Sequence, residues 1–444
     1  MHWCRFEKTP LKQLGPAPRI GEHAALSKMA PPQTKRASRD LPEVRQIFAG
    51  VNVIDFTWAA AGPIGIKQLS DNGATVVKIE SSKHPDSVRL GGPFKDDKPG
   101  LNRSGFFADF NSSKLSIALD MTHKRVGEII EPLLRWGDIV AVSFRPGVME
   151  RWGFGYERLR QINPRLIMIN SSLFGLSGPW SSSPGFGAQG QAISGFNGQT
   201  GWPDRSPVAP KGAYTDSVSA RYMATALVAA MIHRERTGEG QFIELAQVET
   251  GVQFLAPQLL QYQLTGEEAW RNGNADPYAL LHGVFPCKGE DRWIAIEVWT
   301  PDQWNALVRV LDAQELRQIE PLAGCAPQER ERIETHVSAR TMHWDGFELM
   351  AALRAARVPC GFGLRASELL QDPCLRRRGH FCSLDHVEMG RLDYNGPAYR
   401  FDKTPTKLRV AAPLLGEHTN FVLSDLLAFS AEKIAEFSQA KMLI

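Results

Sequence analysis

The sequence predicts an α/β protein with a large domain and a smaller α+β domain. Two apolar strand patterns, at residues 51–56 and Thr75–Glu80, enclose a small-residue turn and a short helix, which is a βαβ start. The alternation of helix and strand patterns recurs through residues 123–171. From residue 277 to about 400 the pattern changes to a hairpin with a Gly-Glu-Asp turn followed by helices, which is typical of a separate domain.

The composition fits an enzyme of two domains. The chain has 444 residues, of which 43% are hydrophobic and 22% charged, and this balance predicts disorder only at the start. The formal net charge is +3, and the basic excess lies in the first 45 residues, so the body is close to neutral. A near-neutral body lacks the basic surface that binds nucleic acid, and we expect no nucleic-acid partner.

The cysteines and the hydropathy pattern indicate a cytoplasmic protein. The six cysteines form no CxxC pair and no histidine lies at zinc spacing from them, which predicts reduced thiols and no metal. No window of about 18 apolar residues exists, so we expect neither a membrane span nor a membrane partner.

Residues 1–47 mix Pro, Lys and Arg with little periodicity. We expect a disordered extension or a misassigned start there, with Met29 as an alternative first residue.

A lone carboxylate precedes the longest uncharged helix pattern of the chain, within residues 211–241. Asp216 stands directly before apolar residues at helical spacing, with alanines between them, so this helix should be buried. As the N-cap, Asp216 would accept backbone N–H bonds and lie at the positive end of the helix dipole, both of which favour its ionised form. A purely structural cap explains the same pattern.

The turn TWAAAGP, residues 57–63, follows the first predicted strand. Its alanines and Gly62 would let a ligand approach the backbone closely. The GxGxxG pattern is absent, so the turn predicts no dinucleotide. A tight turn at the end of a strand is an equally good interpretation.

Four segments carry patterns of one known family. The first is GAYTDSVSARYMATALVAAMIHRERTGEGQFIELAQVE, which contains Asp216, and the others are NSSKLSIALD, RPGVMERWGFGYERLRQINPRLI and VPCGFGLRASELLQDPC. Together they resemble the class III CoA-transferases, the family of formyl-CoA transferase and of the carnitine and benzylsuccinate CoA-transferases, and the first is similar to the catalytic segment of that family. The resemblance covers roughly residues 50–425, most of the chain.

The resemblance implies both the fold and the site residues. A Rossmann-like large domain would be built from both ends of the chain, residues 48–265 and 401–444, with the small α+β domain at 277–400. Asp216 would be the covalent nucleophile. Five residues would contact coenzyme A: Ala59, Ala60, Lys114, Leu119 and Arg151. Family members form interlocked dimers, so we expect a homodimer, or a heteromer with a paralogous subunit.

The resemblance also implies the reaction, which moves CoA from a donor such as succinyl-CoA to a free carboxylic acid. Asp216 would form an aspartyl anhydride and then an aspartyl-CoA thioester. The CoA thioester is a co-substrate, and no tightly bound cofactor is expected. The partners would therefore be an acyl-CoA and a carboxylic acid.

Two other functions stay open at this point. An α-methylacyl-CoA racemase would use a His-Asp pair at the positions of Phe186 and Gly187, and phenylalanine cannot titrate there. A silent subunit of a heteromeric transferase would not need Asp216. Within the transferases, formyl-CoA transferases carry four glycines near residues 271–276, where this sequence has one, which makes formate or oxalate exchange a poor fit.

Overall fold

A seven-stranded sheet forms the core of the larger unit in the computed structural model, which describes residues 4–11, 15–20, 22, 46–319 and 323–444. Its strands are β1 Arg5–Phe6, β2 Asn52–Phe56, β3 Thr75–Glu80, β4 Leu115–Ala118, β5 Ile139–Val142, β6 Ile167–Ser172 and β7 Phe242–Ala246. The order across the sheet is β4-β3-β2-β5-β6-β7-β1. Strands β2 to β7 are parallel and β1 is antiparallel to β7. This arrangement confirms the predicted α/β fold.

The strand order reverses between β2 and β5. The chain moves outward from β2 through β3 to β4, and then returns to the other side of β2 at β5 and continues through β6 to β7. In open α/β sheets, ligands bind outside the carboxyl ends of the strands at such a reversal. The fold therefore directs attention to the segments that follow β2 and β5.

Helices cover both faces of this sheet and build most of the smaller unit. In chain order they are α1 Ala61–Ser70, α2 Gly105–Phe110, α3 Gly127–Trp136, α4 Val148–Arg151, α5 Tyr156–Ile162, α6 Gly187–Ile193, α7 Phe196–Gln199, α8 Tyr214–Thr237, α9 Gln247–Phe254, α10 Ala256–Thr265, α11 Pro301–Val310, α12 Pro327–Thr341, α13 Gly346–Ala355, α14 Ala366–Leu369, α15 Pro373–Arg377, α16 Thr419–Phe421 and α17 Ala431–Gln439. Short 3₁₀ turns lie at Ser87–Leu90, Lys95–Asp97 and Gln314–Leu316, and a π-helical turn lies at Val422–Leu426.

Apolar side chains bury both faces of the parallel strands, as sheets between two helical layers require. On one face, Val53 belongs to a fully buried cluster with α1 and α8 that includes Met223. On the other face, Ile54 lies in a cluster with α3 that includes Leu133. Helices α1 and α8 approach closely at Gly65, where an added Cβ would lie 2.7 Å from the sulfur of Met223.

The smaller unit comprises residues 197–209 and 268–377. Its antiparallel sheet has the strands β8 Leu281–Pro286, β9 Trp293–Val298 and β10 Cys360–Phe362, in the order β10-β9-β8. Strands β8 and β9 form the predicted hairpin. The sequence pattern does not predict α12, because this helix is rich in charged residues and buries only Ile333, Val337 and Thr341, at intervals of one turn.

The bounds of the smaller unit differ from the predicted 277–400. Residues 378–400 belong to the larger unit, which also contains both ends of the chain. This segment forms the hairpin of β11 Phe381–His386 and β12 Gly390–Asn395. The hairpin joins the larger unit because Tyr394 is buried in one cluster with Phe107 of α2 and Leu408.

The two ends of the chain cover the two edges of the large sheet. At one edge, β1 pairs with β7, and Cys4 and Phe6 are buried, so the expectation of a disordered extension is wrong for residues 4–11. Residues 23–45, with Met29, lie outside the described residues. At the other edge, Leu443 forms an antiparallel bridge with Leu119, directly after β4.

Helix α8 is less buried than the sequence predicts. Its inner side packs Met223 and Leu227 against the sheet, whereas Val228 and Ile232 on its outer side are 36% and 46% exposed.

No helix in the described part of the chain is long and apolar enough to cross a membrane. The same residues contain no group of three or more His, Cys, Asp or Glu side chains that could hold a metal ion.

Candidate active site

Asp216 is the third residue of α8 and lies in its first turn. The residue before the helix is Ala213, so Asp216 is not the N-cap that the sequence predicts. The helix begins earlier because the N–H of Tyr214 donates to Oε1 of Gln191 at 3.0 Å. The carboxylate of Asp216 still lies near the positive end of the helix dipole.

One carboxylate oxygen of Asp216 is held by the first residue of α9. The Nε2 amide of Gln247 donates to Oδ1 of Asp216 at 2.6 Å and lies 3.1 Å from the hydroxyl of Thr215. That hydroxyl in turn donates to the carbonyl of Gly187 at 3.0 Å. Oδ2 of Asp216 accepts no hydrogen bond from the described residues. The two oxygens are therefore inequivalent, and Oδ2 is the one left for chemistry.

The pKa of Asp216 is raised, contrary to the expectation from a helix cap. Burial of the carboxyl raises the pKa, and the hydrogen bond from Gln247 only partly offsets this effect. The side chain is partly exposed, so a ligand can reach it. A carboxylate that is poorly solvated and has one free oxygen is suited to nucleophilic attack.

Small residues allow three helices to meet around Asp216. A Cβ added at Gly187, the first residue of α6, would lie 2.6 Å from Cγ of Asp216. A Cβ at Gly251 of α9 would lie 3.1 Å from Cγ2 of Thr215 and closer still to Ser194. Contacts below 3.0 Å are not tolerated without movement, so the position of Asp216 depends on glycine at 187.

Asp216 and the turn of residues 57–63 lie at the same edge of the large sheet. Helix α8 lies in the crossover between the parallel strands β6 and β7, so its first turn is at their carboxyl edge. Helix α1 begins at the same edge, within the turn that follows β2. The sheet topology thus brings together the two stretches that the sequence singled out.

The turn contains a strained residue that is fixed by hydrogen bonds. Ala59 has a φ of 64°, in the left-handed region that costs an alanine about 1–2 kcal/mol. Its N–H donates to Oδ1 of Asp86 at 2.9 Å, and the N–H of Trp58 donates to the hydroxyl of Ser143 at 2.8 Å. Ala60 immediately precedes α1. Both alanines are partly exposed, as a role in backbone contacts to a ligand requires.

An aromatic cavity of about 210 Å³ lies outside the carboxyl ends of β2 to β5. Its aromatic walls are Phe56, Trp58, Phe144 and Trp152. The buried side chain of Leu119 also lines it. The indole N–H of Trp58 is buried and has no hydrogen-bond partner among the described residues. The cavity lies at the reversal of strand order, where ligands of such sheets bind.

Lys114 is fully buried and is not available to a phosphate. Its Nζ donates to Oδ2 of Asp55 at 2.9 Å, to the carbonyl of Pro63 at 3.1 Å and to Oδ1 of Asn111 at 3.0 Å. These bonds use all three donors of an ammonium group. Burial, partly offset by Asp55, lowers the pKa of Lys114 to about 8. The geometry gives Lys114 a place beneath the turn and no free donor for a ligand.

Arg151 is exposed and lines a second, open cavity of about 540 Å³. Lys124 and Arg158 lie on the same rim, and Trp152 borders both this cavity and the aromatic one. Lys83 stands at the mouth of the aromatic cavity and pairs with Asp120 at 2.6 Å. The aromatic cavity is therefore bordered by basic side chains of the kind that bind phosphate groups.

Three residues that surround Asp216 are not among the predicted site residues: Gln247, Thr215 and Gly187. Gln247 directly follows β7, and polar residues after neighbouring parallel strands meet at one sheet edge. That signal was available in the sequence. The close approach of Gly187 to Asp216 depends on how α6 and α8 pack, and no local pattern indicates it.

The chain matches a known family over most of its length. The model of the family described as CoA-transferase family III matches residues 48–419. The succinate–glutarate CoA-transferase of Agrobacterium fabrum is 29% identical over 391 residues, which cover 87% of this chain and 97% of that protein. The succinyl-CoA–D-citramalate CoA-transferase of Chloroflexus aurantiacus is 28% identical, with 93% of this chain and 100% of that protein covered.

A solved structure has the same fold. The crystal structure of a CAIB/BAIF family protein from Brucella suis superposes with a TM-score of 0.79 at 28% sequence identity. The match covers 86% of this chain and 100% of that one. The fold and the sequence relatives thus agree with one another.

Proposed function

This chain belongs to CoA-transferase family III and is a CoA-transferase, and we propose that Asp216 is its covalent nucleophile. The observation that carries the proposal is the asymmetry of the carboxylate: Gln247 holds Oδ1, and Oδ2 has no partner among the described residues. Burial raises the pKa of this carboxyl, which also makes the ionised form a better nucleophile.

In the proposed reaction, thioester energy is conserved by four successive acyl transfers. Oδ2 of Asp216 attacks the donor thioester carbonyl and the C–S bond breaks. CoA thiolate is released, and a mixed anhydride of Asp216 and the donor acid forms. The thiolate attacks the aspartyl carbonyl, which releases the donor acid and leaves an aspartyl-CoA thioester. The acceptor carboxylate then displaces thiolate to form a second anhydride. Attack of the thiolate on the acceptor carbonyl gives the product and regenerates Asp216.

Gln247 would stabilise the charge that develops in the middle two transfers. In these transfers the carbonyl of Asp216 is attacked, and Oδ1 becomes the oxyanion of a tetrahedral intermediate. The Nε2 donor already lies 2.6 Å from Oδ1, so it needs no reorganisation. Loss of one preorganised oxyanion donor typically costs about 10²–10³ in kcat.

Coenzyme A would bind along the carboxyl edge of the sheet. The aromatic cavity can stack a purine base, and the unpartnered indole N–H of Trp58 can donate to it. Arg151 would hold a phosphate group at the adjoining rim. The thioester end would follow the backbone of Ala59 and Ala60 toward Asp216. This model replaces the expected phosphate contact of Lys114 with a supporting role.

The donor would be succinyl-CoA or a similar thioester, and the acceptor a larger carboxylic acid. The support comes from two relatives that match almost their whole length and are named for succinate, glutarate and D-citramalate, whereas two other relatives are named for oxalate. A panel of acids assayed with succinyl-CoA and acetyl-CoA tests this choice. Preference for formate or oxalate over every acid of four or more carbons would contradict it.

The racemase alternative meets a steric obstacle in this chain. A carboxylate side chain at 187 would occupy the space of the Asp216 carboxylate, because even a Cβ there lies 2.6 Å from its Cγ. A silent subunit would have no need of the asymmetric carboxylate. Neither alternative is supported by a specific contact.

A homodimer is proposed from the exposed apolar side of α10. None of the residues of this helix is buried, and Leu259, Leu260 and Leu264 are 41%, 56% and 84% exposed. Such a surface is typical of an interface with another chain. An interlocked arrangement and a cytoplasmic location stay predictions.

Trapping with hydroxylamine tests the nucleophile. With succinyl-CoA and hydroxylamine, the wild-type enzyme should lose activity and carry a hydroxamate on the peptide that contains Asp216. The Asp216→Asn variant should carry none. A racemase or a silent subunit would not be labelled either, so an active wild-type enzyme without the label would contradict the proposal.

A further inference from the structure

Four charged residues, here called the charge cluster, lie fully buried beneath the turn of residues 57–63: Asp55, Lys78, Asp86 and Lys114. They form two ion pairs, with Lys114 2.9 Å from Asp55 and Lys78 3.0 Å from Asp86. Buried ion pairs add little net stability, because desolvation of the charges offsets their attraction. Stabilisation of the fold therefore does not by itself explain why four charged residues are buried here.

Each member of the charge cluster binds the backbone of the turn. The four hydrogen bonds run from the N–H of Thr57 to Asp55 at 2.9 Å, from Lys78 to the carbonyl of Thr57 at 2.6 Å, from the N–H of Ala59 to Asp86 at 2.9 Å, and from Lys114 to the carbonyl of Pro63 at 3.1 Å. The cluster thus fixes the start, the middle and the end of one seven-residue segment.

The hydrogen bond between Asp86 and the N–H of Ala59 holds a backbone conformation that alanine does not favour. Ala59 has a φ of 64°, a conformation that an alanine rarely adopts because its Cβ crowds the following carbonyl. Asp86 is the only member of the cluster that binds the N–H of this residue. Its other oxygen faces Lys78, which keeps the Asp86 side chain in place.

Asp55 and Lys78 keep their charges at neutral pH. Burial alone would raise the pKa of Asp55, but Lys114 and Lys78 together lower it. Burial alone would lower the pKa of Lys78, but Asp86 and Asp55 raise it. Charge-assisted bonds of this kind are shorter and stronger than neutral ones.

We propose that Asp86 is a positioning residue for acyl-CoA, which holds Ala59 in the left-handed conformation that the CoA-binding turn requires. The inference rests on the proposed function, in which Ala59 and Ala60 contact CoA through their backbone. A turn that is fixed in advance spares the ligand the entropic cost of ordering it. Asp86 would act on CoA binding without touching CoA.

The test compares Asp86→Asn with a matched control, Asp71→Asn. Asp71 forms a separate buried pair with Lys67 at the other end of α1, and this pair binds Ser112 and not the turn. We expect Asp86→Asn to weaken CoA binding, measured by calorimetry, by about tenfold or more, as loss of a charge-assisted bond does. Its kcat at saturating succinyl-CoA should change much less. Asp71→Asn should lower the melting temperature but leave CoA binding unchanged.

Ala59→Gly supplies a second arm, because glycine adopts the left-handed conformation freely. Added to Asp86→Asn, it should restore most of the lost CoA affinity. If the two substitutions are simply additive, or if Asp71→Asn weakens CoA binding as much as Asp86→Asn, the proposal is wrong. Should Asp86→Asn fail to fold, Ala59→Gly alone should still raise the melting temperature, and a lowered one would overturn the claim of strain.

Calorimetry separates this inference from the proposed function. CoA binding does not require Asp216 to react, whereas the hydroxylamine label does. A wild-type enzyme that binds CoA but is never labelled at Asp216 would refute the nucleophile alone. A labelled enzyme in which Asp86→Asn binds CoA normally would refute the positioning role alone.

Discussion

The Nε2 atom of Gln247 lies 2.6 Å from Oδ1 of Asp216, across 31 residues of sequence. The same atom lies 3.1 Å from the hydroxyl of Thr215, so the amide is oriented by two neighbouring residues of α8. This contact divides the carboxylate into a held oxygen and a free one. It also makes the ionisation of Asp216 depend on an uncharged side chain.

Replacing Gln247 with leucine should move the acidic limb of the kcat/KM profile to higher pH. The nucleophile acts as a carboxylate, so activity falls as the pH drops through the pKa of Asp216. Burial already raises that pKa, and Gln247 is the group that lowers it. We also expect kcat to fall by about 10²–10³ through loss of the oxyanion donor.

Gln253→Leu is the control for this pH shift. Gln253 lies on the same helix, and its amide nitrogen has no partner among the described residues. This variant should keep the wild-type profile. An acidic limb that stays in place in Gln247→Leu would show that the amide does not govern the ionisation of Asp216.

Asp216→Asn should be at least as stable as the wild type at pH 7, although it loses at least about 10³-fold in turnover. A carboxyl whose pKa is raised by folding binds more protons in the native state, so its stability falls as the pH rises through the raised value. The asparagine removes that cost and keeps an acceptor for Gln247. Melting temperatures measured between pH 4 and 8 should converge near the ordinary aspartate pKa of about 3.9. A less stable variant at pH 7 would contradict the burial effect.

Gly187→Ala should lower kcat by about 10²-fold, while KM for acyl-CoA changes little. The new methyl group must displace the Asp216 carboxylate. A displacement of about 1 Å in a reacting group typically costs that much in rate. Gly198→Ala is the control, since nothing lies within 4 Å of a Cβ at that position. Steady-state kinetics of the two variants provide the measurement. Equal, near-normal kcat values in both would mean that Asp216 tolerates movement.

Lys114→Met should mainly lower stability, whereas Arg151→Ala should mainly weaken CoA binding. Lys114→Met leaves Asp55 buried and unpaired, which should cost about 3–5 kcal/mol in the free energy of unfolding. Arg151→Ala removes an exposed cation and should weaken CoA binding without lowering stability. Urea denaturation and calorimetry distinguish the two. A stable Lys114→Met variant with weakened, salt-dependent CoA binding would restore the original expectation of a phosphate contact.

Leu260→Glu should dissociate the proposed dimer, because a charge at the centre of an apolar interface is left unpaired. Leucine 260 is 56% exposed on α10, so the substitution should not disturb the fold of one chain. Light scattering gives the mass in solution. Glu267→Lys, in the exposed segment just after this helix, serves as the control. A wild-type monomer would end the proposal of a homodimer.

Local sequence patterns predict the elements whose apolar residues form a run or recur at a regular interval. Strand β3, an apolar run buried on both faces, and helix α5, whose apolar residues recur at intervals of three, have the predicted bounds. Strand β1 has only two residues, too few for such a pattern, and depends on its pairing with β7. In helix α12 the pattern is reduced to one narrow buried stripe among charged residues.

The same limit applies to the site. Asp216 and the turn of residues 57–63 can be found from the sequence, since each combines a local signal with a family resemblance. Lys114 has the residue type of a phosphate ligand, but only the packing of β4 against β3 shows that it is buried with Asp55. Charge and residue type are local properties, whereas burial and partner choice are properties of the whole fold.

Each end of the chain covers one edge of the large sheet and so reduces the chance that this edge pairs with another molecule. An edge strand with free N–H and C=O groups is a template for pairing with other molecules. Strand β1 occupies that template on β7, and the bridge of Leu443 to Leu119 occupies it beside β4. Removal of the first residues would therefore expose the edge of β7, and removal of the last would expose the edge beside β4, where Leu119 also lines the aromatic cavity.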